Sequence, residues 1–485
     1  MWFVKDVNMK FEILDEQEIA EEADILFEKL FPICRSITGE GVRETLSILN
    51  KTIGFDIHEI KTGTKCYDWE IPNEWNINDA YVKNEKGLRV IDFKKNNLHL
   101  VSYSIPVNTK ITFSELERHL NTLPNLPDAI PYRTSYYNKD WGFCISHDKK
   151  NELDKDDNYH VVIDSTLKPG SMTYGEKIIK GTSKNEFLFS SYCCHPSMGN
   201  DNLSGLILWI LLLKQLEGKK LKNNYRFVTV PETIGSIYYL SSHETQMKDL
   251  TGGFVLTCTA GPNKFAYKKS FLQDHFIDKI SIKALKESGE EFEIFPFDVN
   301  GSDERQYSSP YFRIPIGTIS RDKYFEFPFY HTSKDNLEFI SGKNLVKTLK
   351  VYLRIIESLE EHSDDEIKKI RNRKHMKTDG HVFYKSLNPY CEPMLSKRGL
   401  YPLKGGMIKQ KIFDLDNDHS KRTYNISGDK GISGSKLNEI LWVLFYTDSK
   451  TSIQEISKET KISLERIKEI VTILEKVKLI KKMEE

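Results

Sequence analysis

The chain is 485 residues long, enough for two or three domains of about 100–200 residues each. Its 39% hydrophobic and 29% charged residues argue against a disordered or fibrous chain, and 70 basic residues against 70 acidic ones leave no net field to draw it to nucleic acid or a membrane surface. Seven cysteines, odd in number and without paired CxxC spacing, argue against a disulfide framework and for a reducing, cytoplasmic compartment.

In chain order, the opening residues (MWFVKDVNMKFEILDEQE) carry no apolar run of secretory length and turn acidic at once, which argues against export. Residues 16–31 and 40–51 repeat apolar positions at three and four, with Glu and Lys on the other face, and predict two amphipathic helices. From about 55 to 150 short apolar runs (GLRVIDF, LHLVSYSI, WGFCISHD) alternate with turn-rich pieces, the pattern of a small β domain inserted near the front. Its aromatics, among them Trp69, Tyr132, Tyr136 and Tyr137, fit either a core or a substrate cleft. From about 158, apolar strands (YHVVIDSTL, EFLFSSYCC, YRFVTV, GGFVLTC) alternate with helices starting near Leu203 and Ile234, which predicts a mainly parallel sheet covered on both faces. Ligands of such a sheet bind beyond the carboxyl ends of its strands.

The most apolar run, Leu203 to Leu213, is well short of the roughly 20 residues that cross a bilayer, so it reads as a core helix and no membrane partner is expected. A long amphipathic helix is predicted over 342–361, followed by a basic connector (KKIRNRKHMKTDG) and, from about 437, three helical segments. Ser452 and Glu455 have capping-box spacing, and Ser463 reads as an N-cap. A tight turn between the last two helices and a basic tail resemble a winged helix-turn-helix. The expected fold class is therefore α/β: a mainly parallel mixed sheet flanked by helices in residues 1–55 and 155–380, an inserted mainly β domain in 56–154, and a connector with a winged-helix-like domain in 381–485.

Three polar clusters carry the chemistry. In SSYCCHPSMGNDNLSG, a strand end is followed by His195 and Asp201, an imidazole and a carboxylate suited to zinc; the alternative is a polar loop residue and a helix cap. In RFVTVPETIGS, Glu232 stands where it can ligate metal or take a proton from water, although Glu is also welcome in any first helical turn. The third, SDERQYSSPYFRIPIGTISRDKYFEFPFYHTSKDN, brings Asp303, Arg305, Tyr324 and His331, or else is a charged surface loop.

Together the clusters resemble the zinc aminopeptidases of the co-catalytic type, the clan that also holds the glutaminyl cyclases, over roughly residues 160–360. The matching stretches are His195, NDNLSG (200–205), PETIGS (231–236), SDE (302–304), RIPIGT (313–318) and YHTSKD (330–335). CRSITGEG (34–41), SDERQY (302–307) and CEPMLSKRGLYP (391–402) make the whole chain similar to bacterial aminopeptidase-like proteins with an inserted β domain and a terminal winged helix, associated with polysaccharide biosynthesis. The resemblance implies that His195 and His331 bind metal, Asp201 binds or bridges, and Glu232 is the general base. Asp303 and Glu304 would orient ligands or hold a substrate ammonium, and Tyr324, Arg305 or a backbone N–H would stabilise the oxyanion.

The chain also departs from that pattern. The paired Glu-Glu becomes Pro231-Glu232-Thr233, the Asp after the next strand becomes Thr257 or Cys258, and Ser197 replaces an Asp after the first His. One zinc held by His195, Asp201 and His331 is therefore expected, with a second ion and a Cys258 thiolate left open. The expected function is a zinc-dependent hydrolase of the aminopeptidase type, acting on a small peptide or aminoacyl substrate.

Two alternatives remain. One is an amidase on a sugar or amino-acid conjugate. The other is a ligand-sensing regulator whose Lys458, Lys461, Arg466 and Lys468 face nucleic-acid phosphate. Interleaved Glu455, Glu459, Glu465 and Glu469 dilute that patch and favour a protein contact or oligomerisation instead.

Overall fold

The computed structural model describes residues 10–11, 13, 15–363, 367, 380–402, 404–406 and 434–483; the basic connector over 368–379 lies outside them. At the centre is an eight-stranded sheet of β1 (Asp56–Lys61), β2 (Ser171–Ile179), β3 (Glu186–Tyr192), β4 (Asn224–Val230), β5 (Gly252–Leu256), β6 (Phe265–Lys268), β7 (Phe292–Phe295) and β8 (Ile316–Arg321). Their order is β1-β2-β4-β3-β5-β8-β6-β7. The middle four, β4-β3-β5-β8, run parallel, while β1, β2 and β6 join through antiparallel pairings. The sequence of the middle strands explains their place: β3 (EFLFSSY) and β5 (GGFVL) are buried almost throughout, as strands covered on both faces must be.

Helices α1 (Glu16–Leu30), α2 (Glu40–Asn50), α3 (Gly205–Leu216), α4 (Ile234–Ser242), α5 (Phe276–Ser288) and α6 (Gly342–Glu361) flank the sheet. Asp15 caps α1 by accepting from Glu18 N–H, and its apolar stripe (Ala20, Ala23, Leu26, Phe27, Leu30) turns inward against α6. α3 is apolar all round and has ten of its residues buried, because it lies on the sheet beneath α1 and α6. Truncating one of its leucines to alanine would cost about 2–5 kcal/mol.

Gly205 opens α3 so close to β5 that a Cβ would stand 2.2 Å from Leu256 O and 2.3 Å from Asn202 Oδ1. Gly205→Ala should therefore destabilise the fold by about 1–3 kcal/mol, read as a lower urea midpoint. An unchanged midpoint would contradict this packing.

Strand Asn158–Lys168, expected in the parallel sheet, instead joins a four-stranded antiparallel sheet with Arg89–Asp92, Glu74–Lys83 and Val107–Thr112. Its side chains alternate between buried and wet, so it has only one face to bury. Conversely β1, expected in the inserted region, is the edge of the central sheet.

The chain ends in helices Gly434–Tyr446, Ile453–Thr460 and Leu464–Lys476 with a three-stranded sheet of Asp448–Ser452, Phe383–Ser386 and Ile480–Lys482. The Ser452–Glu455 capping box forms, and Ser463 caps the last helix by accepting from Arg466 N–H. That helix stops at Lys476 and the strand Ile480–Lys482 follows it. Segment 391–406 is clamped to the rest: Asp68 pairs with Lys397 at 2.6 Å and Arg398 at 2.5 Å, and Trp69 Nε1 donates to Glu392 O at 2.7 Å. No described helix is long and apolar enough to cross a membrane.

Candidate active site

The polar clusters stand just past the carboxyl ends of the parallel strands: His195 after β3, Glu232 after β4, Thr257 and Cys258 after β5, and the loop to His331 after β8. The backbone there enters the left-handed region at His195 (φ 81°), Thr233 (66°), Cys258 (52°), Phe325 (63°) and His331 (57°), none of them glycine. Such conformations cost about 1–3 kcal/mol each, and their concentration around one place points to function.

Ligand-capable atoms of His195, Asp201 and His331 lie within 4.8 Å of one another, and all three residues are buried. Asp201 Oδ2 is 3.0 Å from His331 Nε2, and the two imidazole rings are 5.4 Å apart. Asp201 Oδ1 accepts from the Tyr192 hydroxyl, which stands 2.7 Å from Thr257 Oγ1. Thr257 thus steadies Asp201 from behind.

Burial opposes the charge of Asp201, but His195, His331 and the Tyr192 hydroxyl together hold it below the ordinary carboxylate range. Burial lowers the pKa of His195, so its ring is kept neutral, the form a metal requires. Cys258 is buried beside Tyr324 and Tyr330, and it joins no ligand group among the described residues. A second group, Cys194, His195 and Glu232, shares the His195 ring.

Glu232 Oε2 lies 3.9 Å from His195 Nε2. Burial pushes its carboxyl up to about 7, with His195 opposing and Asp303 adding to the rise. Asp303, expected in the reaction, sits behind this turn: its Oδ1 accepts Thr233 N–H and Ser236 Oγ–H, each at 2.8 Å. It positions Glu232 and does not line the cavity. Tyr324, expected as an oxyanion donor, points elsewhere and gives its hydroxyl hydrogen to buried Glu304 Oε1 at 2.9 Å. Arg305, the other side-chain candidate, does line the cavity, but its Nε is committed to Glu392 Oε2 at 2.7 Å.

Sequence reasoning assigned no role to Asp335, although it lies in the quoted YHTSKD stretch. Its two carboxylate oxygens accept the N–H groups of Asn200 (2.6 Å) and Asp201 (2.9 Å), so it fixes the loop that presents Asp201. Asp335→Asn should weaken any metal binding at the His195, Asp201 and His331 group about 10–100-fold without removing one of those side chains. Competition with a chromophoric chelator reads this directly, and unchanged affinity would contradict it.

A cavity of about 180 Å³ opens beside His195, Glu232 and His331. The inserted region supplies Trp69, Tyr132, Tyr136 and Tyr137 to its wall, and the C-terminal part supplies Glu392, Tyr401, Leu437 and Leu441. Tyr132 packs 5.0 Å from the His195 ring and 5.2 Å from the His331 ring, with its hydroxyl 3.1 Å from that of Tyr136. Of the four basic residues considered for nucleic acid, Arg466 is tied to Glu439 at 2.8 Å and Glu469 at 2.6 Å.

Over residues 25–362 the chain matches a sequence family described as Domain of unknown function (DUF4910). It is 43% identical over 469 residues, 97% of this chain and 98% of the other, to a Clostridium acetobutylicum protein provisionally named for polysaccharide biosynthesis and an aminopeptidase-like domain. Among solved structures, a protein from Clostridium acetobutylicum provisionally named a peptidase is 41% identical, with a TM-score of 0.69 over 96% of this chain and 97% of that one. BSAP, a zinc aminopeptidase from Bacillus subtilis, is 13% identical with a TM-score of 0.54 over 73% of this chain and 97% of its own, a likeness of fold. The peptidase M28 precursor of Shewanella amazonensis is 12% identical with a TM-score of 0.52, covering 75% of this chain and 98% of its own.

Proposed function

The chain belongs to the DUF4910 family of aminopeptidase-like proteins with a zinc-peptidase-like α/β fold, and from that premise we propose that it is a zinc-dependent hydrolase of an amide or peptide bond, with Glu232 as general base. The observation that carries this reading is the convergence of His195, Asp201 and His331 at the carboxyl edge of the sheet. Two imidazoles and a carboxylate suit zinc and leave a fourth position open. Asp201 Oδ2 is buried and faces His331 Nε2 at 3.0 Å, a carboxylate and an imidazole turned toward one place where a cation would satisfy both. A single ion is favoured, because the second ligand group reuses His195.

When bound, zinc supplies Lewis-acid polarisation of a carbonyl and makes water more acidic. Glu232 takes the proton of the attacking water and returns it to the leaving amine, and a carboxyl raised toward neutrality suits both transfers. Asp303 holds the Glu232 turn in place through Thr233 N–H. Tyr132 and Tyr136, kept neutral by burial, are the hydroxyl donors that face the reacting carbonyl. Described residues of the part read as a winged-helix-like unit act here as a wall, since Leu437 and Leu441 line the cavity. Seven free cysteines support a reducing, cytoplasmic setting.

Chelation should abolish hydrolysis of every amide the protein turns over, and added zinc should restore it. Turnover indifferent to chelation would contradict the proposal.

A further inference from the structure

Resting on the hydrolytic reading above, we infer that the substrate is an N-acylated amino sugar and not a peptide with a free amino terminus. An exopeptidase that selects a free amino terminus must hold its ammonium with a carboxylate, and among the described residues the cavity wall offers no uncommitted one. Among the described residues its wall carries only two acidic side chains, Glu232 and Glu392. Glu232 is the base. Glu392 is neutralised, its Oε2 accepting Arg305 Nε at 2.7 Å and Gln306 Nε2 at 3.3 Å, and its side chain is only 4% exposed.

The neighbouring carboxylates are committed as well. Asp303 holds the Glu232 turn, and Glu304 takes Thr318 Oγ1 at 2.7 Å, Tyr324 Oη at 2.9 Å and Lys268 Nζ at 3.5 Å. Among the described residues, an ammonium entering here would lose its hydration without an uncommitted carboxylate to replace it.

What the cavity offers instead is flat aromatic surface beside neutral hydrogen-bonding groups. Trp69 and Tyr137 meet edge to face at 5.6 Å, and Tyr132, Tyr136, Tyr330 and Tyr401 continue the wall up to the metal-binding side chains. The C–H faces of a sugar ring stack on such rings, while its hydroxyls need neutral partners of the kind Ser135, Asn300 and Ser396 place around the cavity. At about 180 Å³ the space is smaller than the roughly 300–1,000 Å³ of drug-sized sites, so it suits one ring with a short acyl group.

In the reaction, the amide C–N bond breaks, water oxygen bonds to the acyl carbon, and the proton passes through Glu232 to the nitrogen. The products are a carboxylate and a free amino sugar.

The test uses full-length, zinc-loaded protein with N-acetylglucosamine, N-acetylgalactosamine and N-acetylmannosamine set against leucinamide and alaninamide. At least one N-acetylhexosamine should show a kcat/KM about tenfold or more above either aminoacyl amide. In chelated protein the same sugar should change tryptophan fluorescence, and Trp69→Phe, which keeps the packing on Tyr137, should remove that change. Preference for the aminoacyl amides, or an N-acetylhexosamine set that is neither bound nor cleaved, overturns the inference. Failure of the hydrolytic reading looks different: the protein then holds no zinc and cleaves no amide, whatever the fluorescence reports.

Discussion

Glu232→Gln should lower kcat by about 10²–10⁴-fold, the range for loss of a general base, while zinc content stays at its wild-type value and the thermal midpoint does not fall. The amide is isosteric with the carboxylate, so the turn held by Asp303 through Thr233 N–H and Ser236 is undisturbed. No contact between Glu232 and Asp201 or His331 is broken. The three proposed ligands therefore keep their ion.

The wild type should also show an acid limb in its pH profile. Burial raises the Glu232 carboxyl, so its basic form is present above the folded pKa and is lost as pH falls through it. The Gln variant should lack that limb. A variant with near-normal kcat would remove Glu232 from the reaction, and one that lost its zinc would make Glu232 a ligand.

His331→Ala should have the opposite pattern, loss of the ion first and of activity as a consequence. His331 lies beyond β8 while His195 and Asp201 lie beyond β3, so it is the ligand that joins two separate loops into one site. With it gone, Asp201 loses the imidazole at 3.0 Å and keeps His195 and the Tyr192 hydroxyl to offset its buried charge. Zinc at a hundredfold excess over its dissociation constant should stabilise the wild type by about 2.7 kcal/mol and leave the variant unmoved. Its kcat/KM should fall by about 10³-fold or more. A variant still stabilised by zinc would place the ion elsewhere.

Much of this architecture is readable from the amino acids because the relevant signals are local. The run Leu203–Leu213 announces a buried helix by composition alone, and His195, Glu232 and the loop to His331 follow β3, β4 and β8 in the chain. What was not readable depends on distant partners. Strand Asn158–Lys168 carries the apolar content of a central strand, and only its pairing with Glu74–Lys83 shows that one face stays wet. Tyr324 and Tyr132 are equivalent as letters; the first is turned to Glu304 and the second is set between His195 and His331 by its backbone bond to His331 O at 2.8 Å. Asp335 acts on backbone N–H groups more than a hundred residues earlier, which no spacing rule reveals. The wall that segment 391–406 adds to the cavity likewise depends on Asp68 and Trp69 reaching across from the front of the chain.

The most direct test of the central claim is the metal content of the purified full-length protein, measured beside His331→Ala prepared in the same way. The account predicts one zinc per wild-type chain and none in the variant. Wild-type protein that binds no zinc with His195, Asp201 and His331 intact would contradict it.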